Sequence, residues 1–290
     1  MTRPTGPTIP RRQLGERLGQ LRGRAGVSQS EVADRLGCSI SKIQKIEAGD
    51  VGVVRAELLL MLDAYGVTDA ALRTELLELQ RRGKQRGWWI RFGQVPAPFA
   101  TYLDLESAAT RIQIFEPMIV HGLLQTEEYA RSVAETCEVG LTDEQVERQV
   151  RIRLERQRVL ADDPPALHVV LDESVLRREV GGRRVMAAQL RHLAATAKRI
   201  TLQVVPLARG GYPGIRGALT IFDFDTQEHS PVSYVESQGG NLYLHKSPDL
   251  RRCSQVFQQV TAVALSKQQS LKLINTVARE YAGKINSTLQ

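Results

Sequence analysis

The chain has 290 residues, which at about 100–200 residues per domain points to two domains. Hydrophobic residues make up 42% and charged residues 24%, which excludes wholesale disorder and a coiled-coil rod, and no run approaches the ~18 uninterrupted apolar residues of a membrane span. A net charge of +7, from 39 Lys+Arg against 32 Asp+Glu, favours a polyanionic partner.

Residues 1–10 form a polar, Pro-rich stretch expected to be a flexible arm; it lacks the apolar core of a signal peptide, so a cytoplasmic location is expected. Residues 1–85 carry 14 Lys+Arg and 10 Asp+Glu, against 25 and 22 in residues 86–290, so the positive excess per residue is greater at the N-terminus. Six arginines (Arg3, Arg11, Arg12, Arg17, Arg22, Arg24) precede position 30 against one acid, Glu16, and this stretch is the expected phosphate-facing surface. Apolar spacing at Leu14, Leu18, Leu21 and Ala25 predicts a helix over 11–25 that Gly26 ends. Ser28-Gln29-Ser30-Glu31 is a capping box that opens a second helix with Val32, Ala33 and Leu36 inward, and Gly37 stops it. Ser39 caps a third with Ile43 and Ile46 inward. Val54–Tyr65 and the segment after Thr68-Asp69 supply a fourth and a fifth, so residues 11–85 are expected to be a compact all-α domain.

Adjacent Trp88 and Trp89 mark a change of regime and are expected to form a packed hinge. Thr126 and the capping box Thr142-Asp143-Glu144-Gln145 open two helices, the second running to about Val159 with interleaved acids and arginines that read as a salt-bridged solvated face. Beyond Pro164-Pro165 the period changes. Strands are expected at 167–171, 200–205, 219–224, 232–235 and 242–244, with a helix over 185–198 and two closing helices from Ser247-Pro248 and Ser266-Lys267-Gln268-Gln269. Residues 86–285 therefore read as an α+β domain with a mixed sheet and flanking helices, followed by a frayed tail at 286–290. The cysteines Cys38, Cys137 and Cys253 fit neither a disulfide framework nor a CxxC site and are expected to be buried thiols.

A helix-turn-helix needs a small residue where two helices cross, a glycine in the turn, and apolar residues locking the second helix onto the first. Ala33, Gly37, Val32, Leu36, Ile43 and Ile46 stand at those offsets, the plain alternative being an ordinary helical hairpin. With Ile46-Glu47-Ala48-Gly49 and the five-helix pattern around it, the stretch from about 11 to 67 resembles the repressor-like XRE (Cro/CI-like) family. That resemblance implies a recognition helix from Ile40 to about Glu47, with Ile40, Ser41 and Lys45 at base-facing positions and Gln29 touching phosphate or an outer base. Ile40 suits a thymine methyl, Ser41 can donate or accept, and Lys45 can reach guanine O6/N7. The outward set also holds Lys42 and Gln44, with Lys42, Arg22 and Arg24 expected as phosphate ligands. Because one recognition helix covers a few base pairs, a homodimer on an inverted-repeat operator in double-stranded DNA is expected.

The second half carries Tyr102-Leu103-Asp104-Leu105-Glu106, Phe115-Glu116-Pro117, Gly122-Leu123-Leu124-Gln125-Thr126-Glu127-Glu128-Tyr129, Arg153-Leu154-Glu155-Arg156-Gln157, Leu171-Asp172-Glu173 and Val180-Gly181-Gly182. In that order they resemble the C-terminal domain of a large actinobacterial group of antitoxin-like or WhiJ-like regulators, in which an XRE-type head is fused to a domain of unknown function. The resemblance implies a nucleoid-associated regulator encoded beside a small acidic partner protein. A small-molecule effector in the sheet is the other regulatory reading. The alternative is a metal-dependent nuclease built on Asp172, Glu173, Asp223, Asp225 and Glu236; against it, these acids share no fixed spacing, and the five histidines show no HxxxH or HExxH pattern. No catalytic, metal or cofactor site is therefore expected, and Gly210–Gly214, lacking a following Lys-Ser/Thr, reads as a turn.

Overall fold

The computed structural model describes residues 6–85, 87–161, 164–224, 230–237 and 240–288, with side chains to residue 283. It divides into two compact units, residues 1–108 and 109–290.

The N-terminal unit contains α1 (Thr8–Arg24), α2 (Gln29–Leu36), α3 (Ile40–Ala48), α4 (Arg55–Ala64), α5 (Ala70–Arg82) and α6 (Ala97–Ala108), with a 3-10 turn at Trp88–Phe92. Leu14, Leu18, Val32, Ile43, Ile46, Leu58, Met61, Leu62 and Leu76 form its core. Three expectations need correction. Residues 8–10 are not part of an arm: α1 begins at Thr8, and Thr8, Ile9 and Pro10 are buried. The cause is Asp104 of α6, whose Oδ2 accepts hydrogen bonds from the Thr8 backbone N (3.2 Å) and Oγ1 (2.6 Å), so a carboxylate from 96 residues away caps the first helix. Residues 86–108 accordingly group with the helical unit, and the division falls after Ala108 rather than at 85. The tryptophans pack within this unit: Trp88 lies edge-on to Trp89 and Phe92 at 5.9 and 6.0 Å, its indole N–H donates to Ser107 Oγ, and a side chain on Gly87 would collide with the Trp89 ring.

In the C-terminal unit the described residues form one six-stranded sheet in the order β3-β2-β1-β4-β5-β6. The strands are β1 (Arg111–Glu116), β2 (Ala166–Asp172), β3 (Thr201–Val205), β4 (Leu219–Asp223), β5 (Val232–Ser237) and β6 (Gly240–Leu244). β1, β2 and β3 run parallel, and β4 to β6 add antiparallel ladders, which makes the sheet mixed. The first parallel crossover carries α7 (Glu127–Cys137) and α8 (Asp143–Arg156); the second carries α9 (Glu173–Arg177) and α10 (Gly182–Thr196). Two closing helices follow, α11 (Ser247–Val263) and α12 (Lys267–Thr288). Phe115, Val170, Val205, Leu219 and Ile221 on one sheet face pack against Cys253, Phe257 and Val260 of α11. The β3 edge is closed by the α11–α12 connection, since Leu265 N donates to Val204 O and Val204 N to Ser270 Oγ.

α8 stops at Arg156, short of Val159, and Asn286–Thr288 continue α12 instead of fraying; Leu289 and Gln290 lie outside the described residues. Of the three thiols only Cys253 is buried; Cys38 is intermediate, and Cys137, in the last turn of α7, is exposed.

Candidate nucleic-acid interface

The geometry of α2 and α3 follows from local chemistry. The Ser28 hydroxyl accepts from Glu31 N at 3.2 Å while Glu31 Oε2 accepts from Ser28 N at 2.7 Å, completing the capping box. Gly37 ends α2 in the left-handed region (φ 63°), where a side chain would be strained. Ser39 Oγ then caps α3 through Lys42 N. Val32, Ala33, Ile43 and Ile46 are all buried, with Leu36 partly buried at the core's margin. Four-residue spacing consequently brings Ile40 and Gln44, and Ser41 and Lys45, onto one exposed face of α3. Ile40 is 45% exposed, which leaves an apolar side chain available on this face.

Two features behind this face have no local sequence signature. Gly15 of α1 crosses the last turn of α3 so closely that a Cβ there would run into the Ile46 carbonyl oxygen. Its one signal is the presence of a glycine inside a helix, which costs about 1 kcal/mol relative to alanine. The second is Glu47, which accepts from Arg22 Nε (2.6 Å) and Nη2 (3.0 Å) and from Gln29 Nε2 (2.8 Å), tying α1, α2 and α3 together. Arg22 also gives Nη1 to Val27 O, and hydrogen bonding to Glu47 raises its pKa further. Arg22 therefore acts inside the domain rather than as a ready phosphate ligand. Near this cluster the buried Tyr65 hydroxyl has no hydrogen-bond partner among the described residues, and burial pushes its pKa up.

Lys42, also expected at phosphate, is held by Glu57 of α4 at 2.5 Å, a bond that raises the pKa of the ammonium. This pair is partly exposed, the kind of ion pair worth about 0–1 kcal/mol, so the ammonium can exchange Glu57 for a phosphate at little cost. Arg24 and Lys45 are exposed with no ion-pair partner among the described residues. The head thus brings Gln29, Ile40, Ser41, Gln44 and Lys45 together, with Lys42 on the same helix, and turns Arg22 inward; Arg24 stands exposed at the end of α1.

The strand-end carboxylates of the second unit are built into its structure. Asp172 Oδ1 caps α9 through Ser174 N at 2.8 Å, and its Oδ2 accepts from Tyr212 OH at 2.6 Å. Glu173 accepts from Arg177 Nε and Leu207 N, while Asp223 pairs with Arg111. Glu236 lies on β5 opposite Asn241. Asp225 lies outside the described residues. Among the described residues no three His, Cys, Asp or Glu side chains converge as a metal-holding group. No described helix is long and apolar enough to cross a membrane.

Two family models match the chain, one over each part of it. A helix-turn-helix domain family matches residues 13–76, and Domain of unknown function DUF5753 matches residues 99–276. No curated protein matches the chain. A helix-turn-helix head of this kind is a DNA-binding regulator's module, and since the second match covers more than half of the sequence, the chain belongs to the DUF5753 family, joined here to an N-terminal helix-turn-helix domain.

Proposed function

We propose that this protein is a sequence-specific transcriptional regulator of the XRE type, in the antitoxin-like, WhiJ-like group, acting in the cytoplasm on the nucleoid. The observation that carries the reading is the exposed quartet Ile40, Ser41, Gln44 and Lys45 on a helix whose other side is locked by buried Ile43 and Ile46 and by the Arg22–Glu47 pair. Such a face offers a major groove one apolar contact, one hydroxyl, one amide and one ammonium, enough to discriminate among base pairs. One helix of nine residues reads few base pairs, so the protein acts as a homodimer on two half-sites about 34–36 Å apart, or a multiple of that spacing.

The C-terminal unit performs no chemistry in this reading and controls the head by binding, with a small acidic partner protein favoured over a small-molecule effector. Supporting a binding role, Asp172, Glu173 and Asp223 already hold α9, the turn bearing Tyr212, and the Arg111 strand end. Coupling of about 1–3 kcal/mol between the two units changes operator affinity about 5–150-fold.

The test is selection of a randomised duplex library by the full-length protein, with light scattering on the same sample. The expected result is an enriched inverted repeat bound by a dimer, with log K falling by about 0.9 per phosphate contact per log unit of salt. Equal recovery of all sequences would overturn the reading.

A further inference from the structure

We propose that the connection from β3 to β4, residues 206–218, forms with Met118 the docking surface of the C-terminal unit for a protein segment that carries carboxylates beside apolar side chains. The proposal rests on the binding role given to this unit above, and gives that role a place.

Sheet order dictates where the connection runs. β2 and β1 lie between β3 and β4, and β1 to β3 are parallel. Residues 206–218 therefore leave the carboxyl end of β3 and cross the carboxyl ends of β2 and β1, about 14 Å at three strand spacings, before β4 begins beside Phe115. That edge is where open sheets with parallel strands offer a crevice to ligands. Here a fixed strap spans it. Tyr212 OH donates to Asp172 Oδ2 at 2.6 Å and its ring stands edge-on to Phe115 at 6.0 Å, while Leu207 N donates to Glu173 Oε2 at 2.9 Å. Gly214, at φ 97°, approaches α11 so closely that a Cβ would meet Val260 Cγ2 at 2.6 Å. Ser174 Oγ donates to Pro117 O at 2.9 Å, which ties the loop after β1, with Met118 in it, to the same edge.

The groups left facing solvent have the composition of an interface. Leu207, Ile215 and Met118 are 52%, 49% and 56% exposed. Arg209 and Arg216 are exposed on the same strap with no ion-pair partner among the described residues, and residues 206–218 contain no Asp, Glu or Lys. Protein interfaces are enriched in Met and Arg and depleted in Lys, Glu and Asp. Because the strap is already anchored, presenting these groups costs little ordering on binding. A guanidinium fork matches a carboxylate or a phosphate equally well. The three apolar side chains separate the two: a nucleic acid backbone would leave them uncovered, whereas an acidic segment with apolar residues covers the whole surface.

The test presents a randomised peptide display library to the full-length protein and to Leu207→Ser, Ile215→Ser and double Arg209→Glu, Arg216→Glu variants, and measures enriched peptides by fluorescence anisotropy. Wild type should enrich peptides in which Asp or Glu stands among apolar residues. Each serine variant should weaken those peptides about tenfold. The double charge reversal should abolish their binding and restore it to peptides whose acids are replaced by Lys. All four substituted side chains are exposed, and thermal unfolding checks that each variant is folded. No enrichment, enrichment of peptides without acids, or unchanged affinities in the folded variants overturns the proposal. So does a labelled random-sequence duplex that the peptides displace and the charge reversal releases, since the strap would then be a nucleic-acid surface. Adding an enriched peptide to the protein on its operator separates the surface from its use. A change in operator affinity of about 5–150-fold supports control of the head. An unchanged affinity with the peptide bound overturns that control and leaves the docking surface standing.

Discussion

In the N-terminal unit, polar and apolar side chains on one face of α3 stand exposed, while the opposite side of the same helix is buried and clamped by ion pairs. In the C-terminal unit the residues that first invite a chemical reading, Asp172 and Glu173, are buried and fully engaged by neighbours that they hold in place. A side chain becomes available to a partner when the fold supplies it with no better bond. The contrast assigns recognition to the head and a structural role to the strand-end carboxylates, and each half of it can be broken separately.

The largest effect is expected at Gly15. Gly15→Ala forces the α1 backbone away from the last turn of α3, and overpacking against a carbonyl oxygen should cost about 3 kcal/mol and displace the recognition helix. Denaturant unfolding together with operator binding checks this, and near-normal values in both would show that the crossing is looser than described. Next comes Asp172→Ala, which removes the α9 cap and strands the Tyr212 hydroxyl. The expected destabilisation is about 2 kcal/mol, with the affinity of the folded protein for DNA unchanged. A metal-dependent nuclease activity lost in this variant would instead place chemistry where the account places structure.

A third effect concerns pH. Burial raises the Asp104 carboxyl to about 7, against the opposing pull of its hydrogen bonds from Thr8 and of Arg11. The folded state then binds the proton more tightly than the unfolded state. Stability should fall as pH rises from about 4 to 7, by at most about 1.4 kcal/mol per pH unit from this group, and level off above that range. Asp104→Asn should flatten that slope, as read by denaturation across the pH series.

Much of the head is legible in the sequence because its signals are local. Ser28, Ser39 and Asp69 cap helices, Gly37 and Gly49 end them, and the apolar spacing names the core. What escapes local reading is long-range: Arg22 and Glu47 are 25 residues apart, and Thr8 and Asp104 are 96 apart, so neither link leaves a pattern in a window of sequence. α6 escapes for another reason. Ala97–Ala108 contains Pro98 and has apolar residues around its circumference, so no amphipathic period marks it. In the second unit the strands read out from β-branched and aromatic runs, whereas their order does not, because pairing β1 with both β2 and β4 depends on packing far along the chain.

The smallest effects separate bases from phosphates. Lys45→Ala should cost about 1–3 kcal/mol at one base pair and relax specificity there, whereas Arg24→Ala should weaken all sequences alike and reduce the salt slope by about one contact. Identical, sequence-independent losses in the two variants would remove the distinction between them.

The most direct test of the central claim is side-chain footprinting by hydroxyl radicals, with and without a duplex enriched from the randomised library. Protection is expected to concentrate at Ile40, Ser41, Gln44 and Lys45 and at the start of α2. Protection confined to residues 109–290, or none on α3, would contradict it.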